Sequence, residues 1–200
     1  MTRNFIAADI GATSGRVILG TYADGCISTE CLHRFPNPIL PLGGKYYWDI
    51  HALYSEIVRG LAEAGRRDLK IESVGIDTWG VDFVCVADDG SLLSLPRSYR
   101  DPYTDGEPER LFGRIPRREV YERTGIQIMN FNTLYQLSAQ RREGSSALRD
   151  AASVLFMPDA LSYMLTGGRV CEYTILSTSQ LLDPRSKEID TVLLSSAGTD

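Results

Sequence analysis

The first 35 residues constrain the fold most. Phe5–Asp9 is a short apolar strand, Gly11–Gly15 a turn, and Val17–Tyr22 a second run of strand formers. Ala23-Asp24-Gly25 is a hairpin signal, with glycine free to take the positive φ such turns need. Cys26–Phe35 then continues as a third strand. Strands joined by turns this short lie antiparallel, because a parallel pair needs a long crossover. The chain therefore opens as an antiparallel meander.

Different patterns follow. "NPILPLGGKYY" breaks at Pro36, Pro38, Pro41, Gly43 and Gly44 and predicts a loop. Asp49 is placed to cap a helix. Ile50, Leu53, Tyr54, Ile57, Val58, Leu61 and Ala62 then recur at helical spacing up to Gly65. Ile71–Asp77 is the next strand, and "FVCVADDGSLL" predicts a hairpin turning at Asp88-Asp89-Gly90. Further helices are predicted at Arg117–Arg123, stopped by Gly125, and at Thr133–Arg142, with Asn132 as N-cap. A third, at Asp159–Leu165, starts at Pro158 and ends at Gly167. "ASVLFM" before it is a buried strand, and "DTVLLSSAGTD" carries a last helix. A meander followed by helices and single strands predicts an α/β fold with a mixed sheet.

Composition narrows the function classes. The 200 residues suit one large domain or two small ones. The charge balance is 21 − 26 = −5 with no basic run, which argues against nucleic acid. No apolar run nears the ~20 residues of a membrane span, and the first residues lack a signal-peptide core. A cytoplasmic protein with no membrane partner is the expectation. Cys26, Cys31, Cys85 and Cys171 form no CxxC, and His33 and His51 are the only histidines, too few for a His/Cys metal site. Cys85 alternates with apolar residues and is expected in the core.

Four stretches could carry chemistry. In "DIGATSGR" a strand ends in Asp9, followed by a glycine-bounded turn bearing Thr13 and Ser14, and Arg16 opens the return strand. Turn N–H groups, hydroxyls and a guanidinium can hold phosphate. Asp9 could then hold Mg²⁺ beside it, since magnesium takes carboxylate, water and phosphate oxygens. An ordinary hairpin with a polar turn fits the spacing equally well. "GIDTWGVDF" places Asp77, Thr78, Trp79, Gly80 and Asp82 at a strand's C-terminal end, where α/β ligands tend to bind. A core-capping tryptophan and turn-capping polar groups are the competing explanation. In "SYRDPYTDG", Arg100 and Asp101 form a surface ion pair in the plainest reading. In "GIQIMNFNTLYQL", Asn130, Asn132 and Gln136 could contact hydroxyls, with Leu134 and Leu137 in the core.

Taken in order, "DIGATSGR", "GIDTWGVDF", "YRD", "GIQ…NTLYQL", "MPDALSYMLTG" and "EYTILSTSQLLD" resemble the N-terminal domain of the FGGY carbohydrate kinases. The likeness runs over nearly all of residues 4 to 195, and "GIDTWGVDF" points to the branch acting on L-rhamnulose. The resemblance implies a ribonuclease H-like fold of the actin-like ATPase superfamily. It implies ATP and Mg²⁺ as cofactors and phosphorylation of L-rhamnulose at its C1 hydroxyl. It implies that Ala12, Thr13, Ser14, Gly15 and Arg16 line the ATP phosphates, and that Gly80 meets the sugar with Trp79 and Asp77 nearby.

Family enzymes are much longer. Residues 1–200 are therefore expected to form an incomplete N-terminal domain without the C-terminal nucleotide domain. The catalytic aspartate is expected beyond Asp200, and the chain alone is expected to be inactive. Another FGGY ketose kinase, or a truncated sugar-binding module, are the alternatives.

Overall fold

The computed structural model describes residues 1–199. Strands β1 (Arg3–Ile10), β2 (Ser14–Ala23) and β3 (Cys26–Pro36) form the expected meander. The β2–β3 turn puts both Asp24 and Gly25 at positive φ, 52° and 78°. A small hairpin follows, β4 (Leu40–Leu42) with β5 (Lys45–Tyr47), closed by Gly43 and Gly44 at φ 58° and 76°. A pure loop was expected there. Pro41 is accommodated because this two-stranded ribbon is all edge, where a missing N–H costs little.

Helix α1 (Ile50–Gly65) is capped by Asp49, whose carboxylate accepts from the Ala52 N–H at 3.0 Å. Strand β6 (Ile71–Thr78) then joins the sheet parallel to β1, giving the order β3-β2-β1-β6. The sheet is mixed, as expected. Ile6, Ala8, Ile10, Val17 and Leu19 point to one face and pack with Ile50, Leu53 and Ile57 of α1 in a single core.

Strand β7 (Phe83–Val86) is buried at every residue. Val84 and Val86 face the sheet core, while Phe83 and Cys85 face a second core among the later helices. A strand buried on both faces has a continuous apolar sequence, which conceals its partner. That partner is β8 (Ser153–Phe156), antiparallel and about 70 residues away. The expected Asp88–Gly90 hairpin survives only as a turn with one bridge, Val86↔Leu92.

Helices α2 (Glu107–Phe112), α3 (Arg117–Thr124), α4 (Thr133–Arg142) and α5 (Ser146–Arg149) precede β8, and α6 (Met157–Thr166) follows it directly. Gly125 and Gly167 end α3 and α6 in the left-handed conformation. The chain closes with α7 (Tyr173–Leu176), the short pair β9 (Leu182–Asp183) and β10 (Glu188–Ile189), and α8 (Thr191–Ser196). No helix of the described residues is long and apolar enough to cross a membrane.

Candidate sugar and phosphate site

The register of the sheet places the two main motifs side by side. Across one row, Arg34 of β3 pairs with Arg16 of β2, Arg16 with Asp9 of β1, and Asp9 with Asp77 of β6. Arg16 grips the Asp9 carboxylate with two nitrogens, at 2.9 and 2.8 Å. Both groups are nearly half exposed, so this pair adds little stability of its own. Asp77 is exposed, and its carboxylate has no hydrogen-bond partner among the described residues.

The turn between β1 and β2 is held from below. Gly11 N–H donates to the Ser14 carbonyl at 2.9 Å. The buried Asn37 donates twice, from its backbone N–H to the Thr13 carbonyl and from Nδ2 to the Gly11 carbonyl, both at 2.9 Å. These bonds turn the carbonyls inward and leave the Ala12 and Thr13 N–H groups without an acceptor among the described residues. Free N–H groups beside an arginine suit an anion. Thr13 and Ser14 are exposed here, whereas Gly15 is buried, its missing side chain giving room to the Phe35 ring. Asn37 lies in the proline-rich stretch and carried no signal beyond its type.

Magnesium fits this corner only in part. No group of three or more acidic, histidine or cysteine side chains gathers among the described residues. Asp9, with Asp77 beside it, suits an ion that takes one or two carboxylates and completes its shell with water and phosphate oxygens.

The end of β6 is tightly held. Asp82 N–H bonds the Gly80 carbonyl at 2.9 Å across Val81, whose φ is 69°. This is a γ-turn of the positive-φ kind, which is rare and strained. Val81 is the one β-branched residue at positive φ among the described residues, a conformation costing ~1–3 kcal/mol. Three side chains from distant segments hold it. Thr178 Oγ1 accepts from the Val81 N–H at 3.2 Å. Thr133 Oγ1 and Gln136 Nε2 donate to the Val81 carbonyl at 2.8 and 3.3 Å.

Asp82 is fully buried beside it. Its carboxylate accepts from Trp48 Nε1 at 2.6 Å, Trp79 Nε1 at 2.9 Å, Gln136 Nε2 at 2.8 Å and the Tyr99 N–H at 3.1 Å. Burial pushes its carboxyl up to about 6, against the pull of these four neutral donors. Trp79 is thereby turned onto Trp48, with ring centroids 4.3 Å apart.

Asp77 and Gly80 instead line a cavity of about 470 Å³, with Asp159, Glu172, Thr174 and Thr178. Asp159, mostly buried, has its carboxyl raised to about 6 by burial and accepts from the Glu172 N–H at 3.2 Å. Asp77 and Gly80 therefore come together, and Trp79 stands apart from them. A side chain at Gly80 would meet Thr178 Oγ1 at 2.7 Å. The missing Cβ thus admits Thr178, a residue of the "EYTILSTSQLLD" stretch to which the sequence reading gave no role.

Three other expectations are revised. Asp101 is buried and pairs with Arg97 at 2.9 Å, while Arg100 lies over the Tyr99 ring, so no Arg100–Asp101 surface pair forms. Asn132 holds the N-cap position of α4, as expected, and its carbonyl accepts from the Tyr135 and Gln136 N–H groups, but its side chain makes no cap bond; its Nδ2 donates to the Gln127 carbonyl and to Gln180 Oε1. Gln136 is fully buried in the Val81–Asp82 network, with no exposed atom to offer a ligand hydroxyl, while the exposed Asn130 donates to Asp105 at 3.0 Å.

The model of the FGGY family of carbohydrate kinases, N-terminal domain, matches residues 4–200. The chain belongs to that family. Among curated relatives, the rhamnulokinase of Bacteroides thetaiotaomicron is 54% identical over 99% of this chain and 41% of its own length. That of Oceanobacillus iheyensis is 42% identical over 96% and 41%. This chain thus spans about two fifths of the length of these relatives. Among solved structures, the gluconate kinase of Lactobacillus acidophilus superposes with a TM-score of 0.86 at 16% identity, covering 100% of this chain and 40% of that one. The xylulose kinase of Lactobacillus acidophilus gives 0.82 at 15%, covering 99% and 40%. These two bear out the ribonuclease H-like α/β expectation for this FGGY domain.

Proposed function

We propose that this FGGY domain is the sugar-binding and phosphate-loop part of a longer kinase that moves the γ-phosphoryl group of ATP to the C1 hydroxyl of L-rhamnulose. The 54% identity to a rhamnulokinase over 99% of the chain carries this reading. The register supports it, because Asp9 beside the turn and Asp77 at the end of β6 are neighbours on parallel strands. An ATP phosphate over residues 12–16 would then lie next to a ketose against Asp77 and Gly80.

In this reading the free N–H groups of Ala12 and Thr13, the Ser14 hydroxyl and Arg16 bind phosphate oxygens. Asp9 holds Mg²⁺, which supplies charge neutralisation on the phosphates. Gly80 and Asp77 hold the ketose, and Trp79 acts from behind by fixing Asp82. The C1 oxygen forms the new bond to phosphorus as the bond to the ADP oxygen breaks. The proton passes to an aspartate on the part of the polypeptide beyond Asp200, so this chain alone has no turnover. ATP supply places the reaction in the cytoplasm.

The test is a substrate panel. The full polypeptide, given MgATP and L-rhamnulose, L-xylulose, D-xylulose or D-ribulose, should show its highest kcat/KM with L-rhamnulose. Preference for another ketose would move the protein to a different branch of the family.

A further inference from the structure

The γ-turn Gly80–Val81–Asp82 is held far more firmly than a change of chain direction requires. A glycine at position 81 would make the same turn without strain. The chain instead carries a buried valine there, and every polar backbone group of Val81 has a side-chain partner. Thr178 Oγ1 links the turn to α7 by donating to the Ile175 carbonyl at 2.8 Å. Gln136 bonds both Val81 and Asp82, and its Oε1 accepts from the Tyr103 hydroxyl at 2.6 Å. Within this web one donor remains without an acceptor among the described residues, the Gly80 N–H, and Gly80 lines the cavity shared with Asp77.

We infer that the strained turn holds the Gly80 N–H toward a hydroxyl of the bound ketose, with Thr178 and Gln136 as positioning residues and Val81 setting how tightly the sugar is held. This rests on the ketose-kinase reading above. A relaxed turn would let the Gly80–Val81 peptide rotate, and the donor would lose its direction. Thr178 does two things at once, filling the space that Gly80 leaves and accepting from Val81. The side chain at 178 and the glycine at 80 therefore form one device.

The experiment compares Val81→Ala with Val81→Gly in the full kinase polypeptide. Both lose the valine's packing, but alanine keeps the positive-φ strain and glycine removes it. V81G should therefore melt at or above V81A. V81G should nonetheless show the weaker sugar binding, with a KM for L-rhamnulose about tenfold higher, equivalent to ~1.4 kcal/mol. The KM for ATP should move much less. Thr178→Val should also raise the sugar KM, and Thr178→Ser should restore it.

V81A melting well above V81G would show that the turn is not strained and would overturn the inference. So would equal sugar KM values for the two variants. A wild-type protein that phosphorylates no ketose would count against the proposed function instead, and the melting comparison would still decide whether the turn is strained.

Discussion

Arg16 and Asp9 are register partners on β1 and β2, and the guanidinium closes on the carboxylate with two nitrogens at 2.9 and 2.8 Å. The pair stands at the edge of the turn whose Ala12 and Thr13 N–H groups have no acceptor among the described residues. It is exposed enough that breaking it should cost well under ~1 kcal/mol of stability. Arg16→Ala should leave the melting temperature within a degree or two while raising the KM for ATP. Sugar affinity should change little. An unaltered ATP KM would return "DIGATSGR" to an ordinary hairpin.

Asn37 offers a sharper test of the same turn. Its side-chain bond to the Gly11 carbonyl holds the peptide group that presents the Ala12 N–H, and its backbone bond to the Thr13 carbonyl pins the far side of the same turn. Asn37→Ala keeps the backbone bond and removes the side-chain bond, which is worth ~1 kcal/mol in a typical case. The expected result is a modest fall in melting temperature with a several-fold rise in the KM for ATP. A fall in stability alone would make Asn37 a purely structural prop.

Gly80 and Thr178 should behave as a coupled pair. An alanine at 80 places its Cβ against Thr178 Oγ1, so Gly80→Ala should destabilise the fold and weaken ketose binding. Thr178→Ala in the same chain removes the clash. The double variant should recover part of the melting temperature, with a coupling of ~0.5–3 kcal/mol as expected for residues in contact. Strict additivity in thermal melts would separate the two positions.

Much of the fold was legible because the local signals agree with the tertiary result. Asp49 caps α1 as its type suggests, and Gly125 and Gly167 end α3 and α6 as left-handed residues. The missed pairing was non-local. The β7 run "FVCV" looks the same whether its partner is ten residues away or seventy, because both faces are apolar. The site divides in the same way. Asp77 and Gly80 share a motif and a cavity, but Thr178, Asn37 and Gln136 act through contacts 26 to 97 residues apart in sequence. No spacing rule within one strand end can reveal such partners. Trp79 was legible as important and not as what it is, a donor to a buried carboxylate.

That carboxylate carries a pH signature. The Asp82 carboxyl rises from 3.8 to about 6 in the folded chain through burial. A raised carboxyl favours the folded state below its unfolded value, and that contribution is lost as pH rises through the folded value. Asp82→Asn has no charge to desolvate. The melting temperature of D82N relative to wild type should therefore increase between about pH 4 and pH 7. The increase should reach several degrees, because each pH step between the unfolded and folded values removes up to ~1.4 kcal/mol from the wild type. A difference that stays flat with pH would mean that the donors around Asp82 fully offset its burial.

The position of the transferred phosphate decides which reaction the full polypeptide performs. The full polypeptide would be incubated with MgATP and L-rhamnulose labelled with ¹³C at C1, and the product followed by ¹³C and ³¹P NMR. The expected product is a phosphomonoester whose phosphorus couples to the labelled C1, formed together with ADP. Phosphate on another hydroxyl, or ATP consumed with no phosphorylated ketose, would contradict the proposed function.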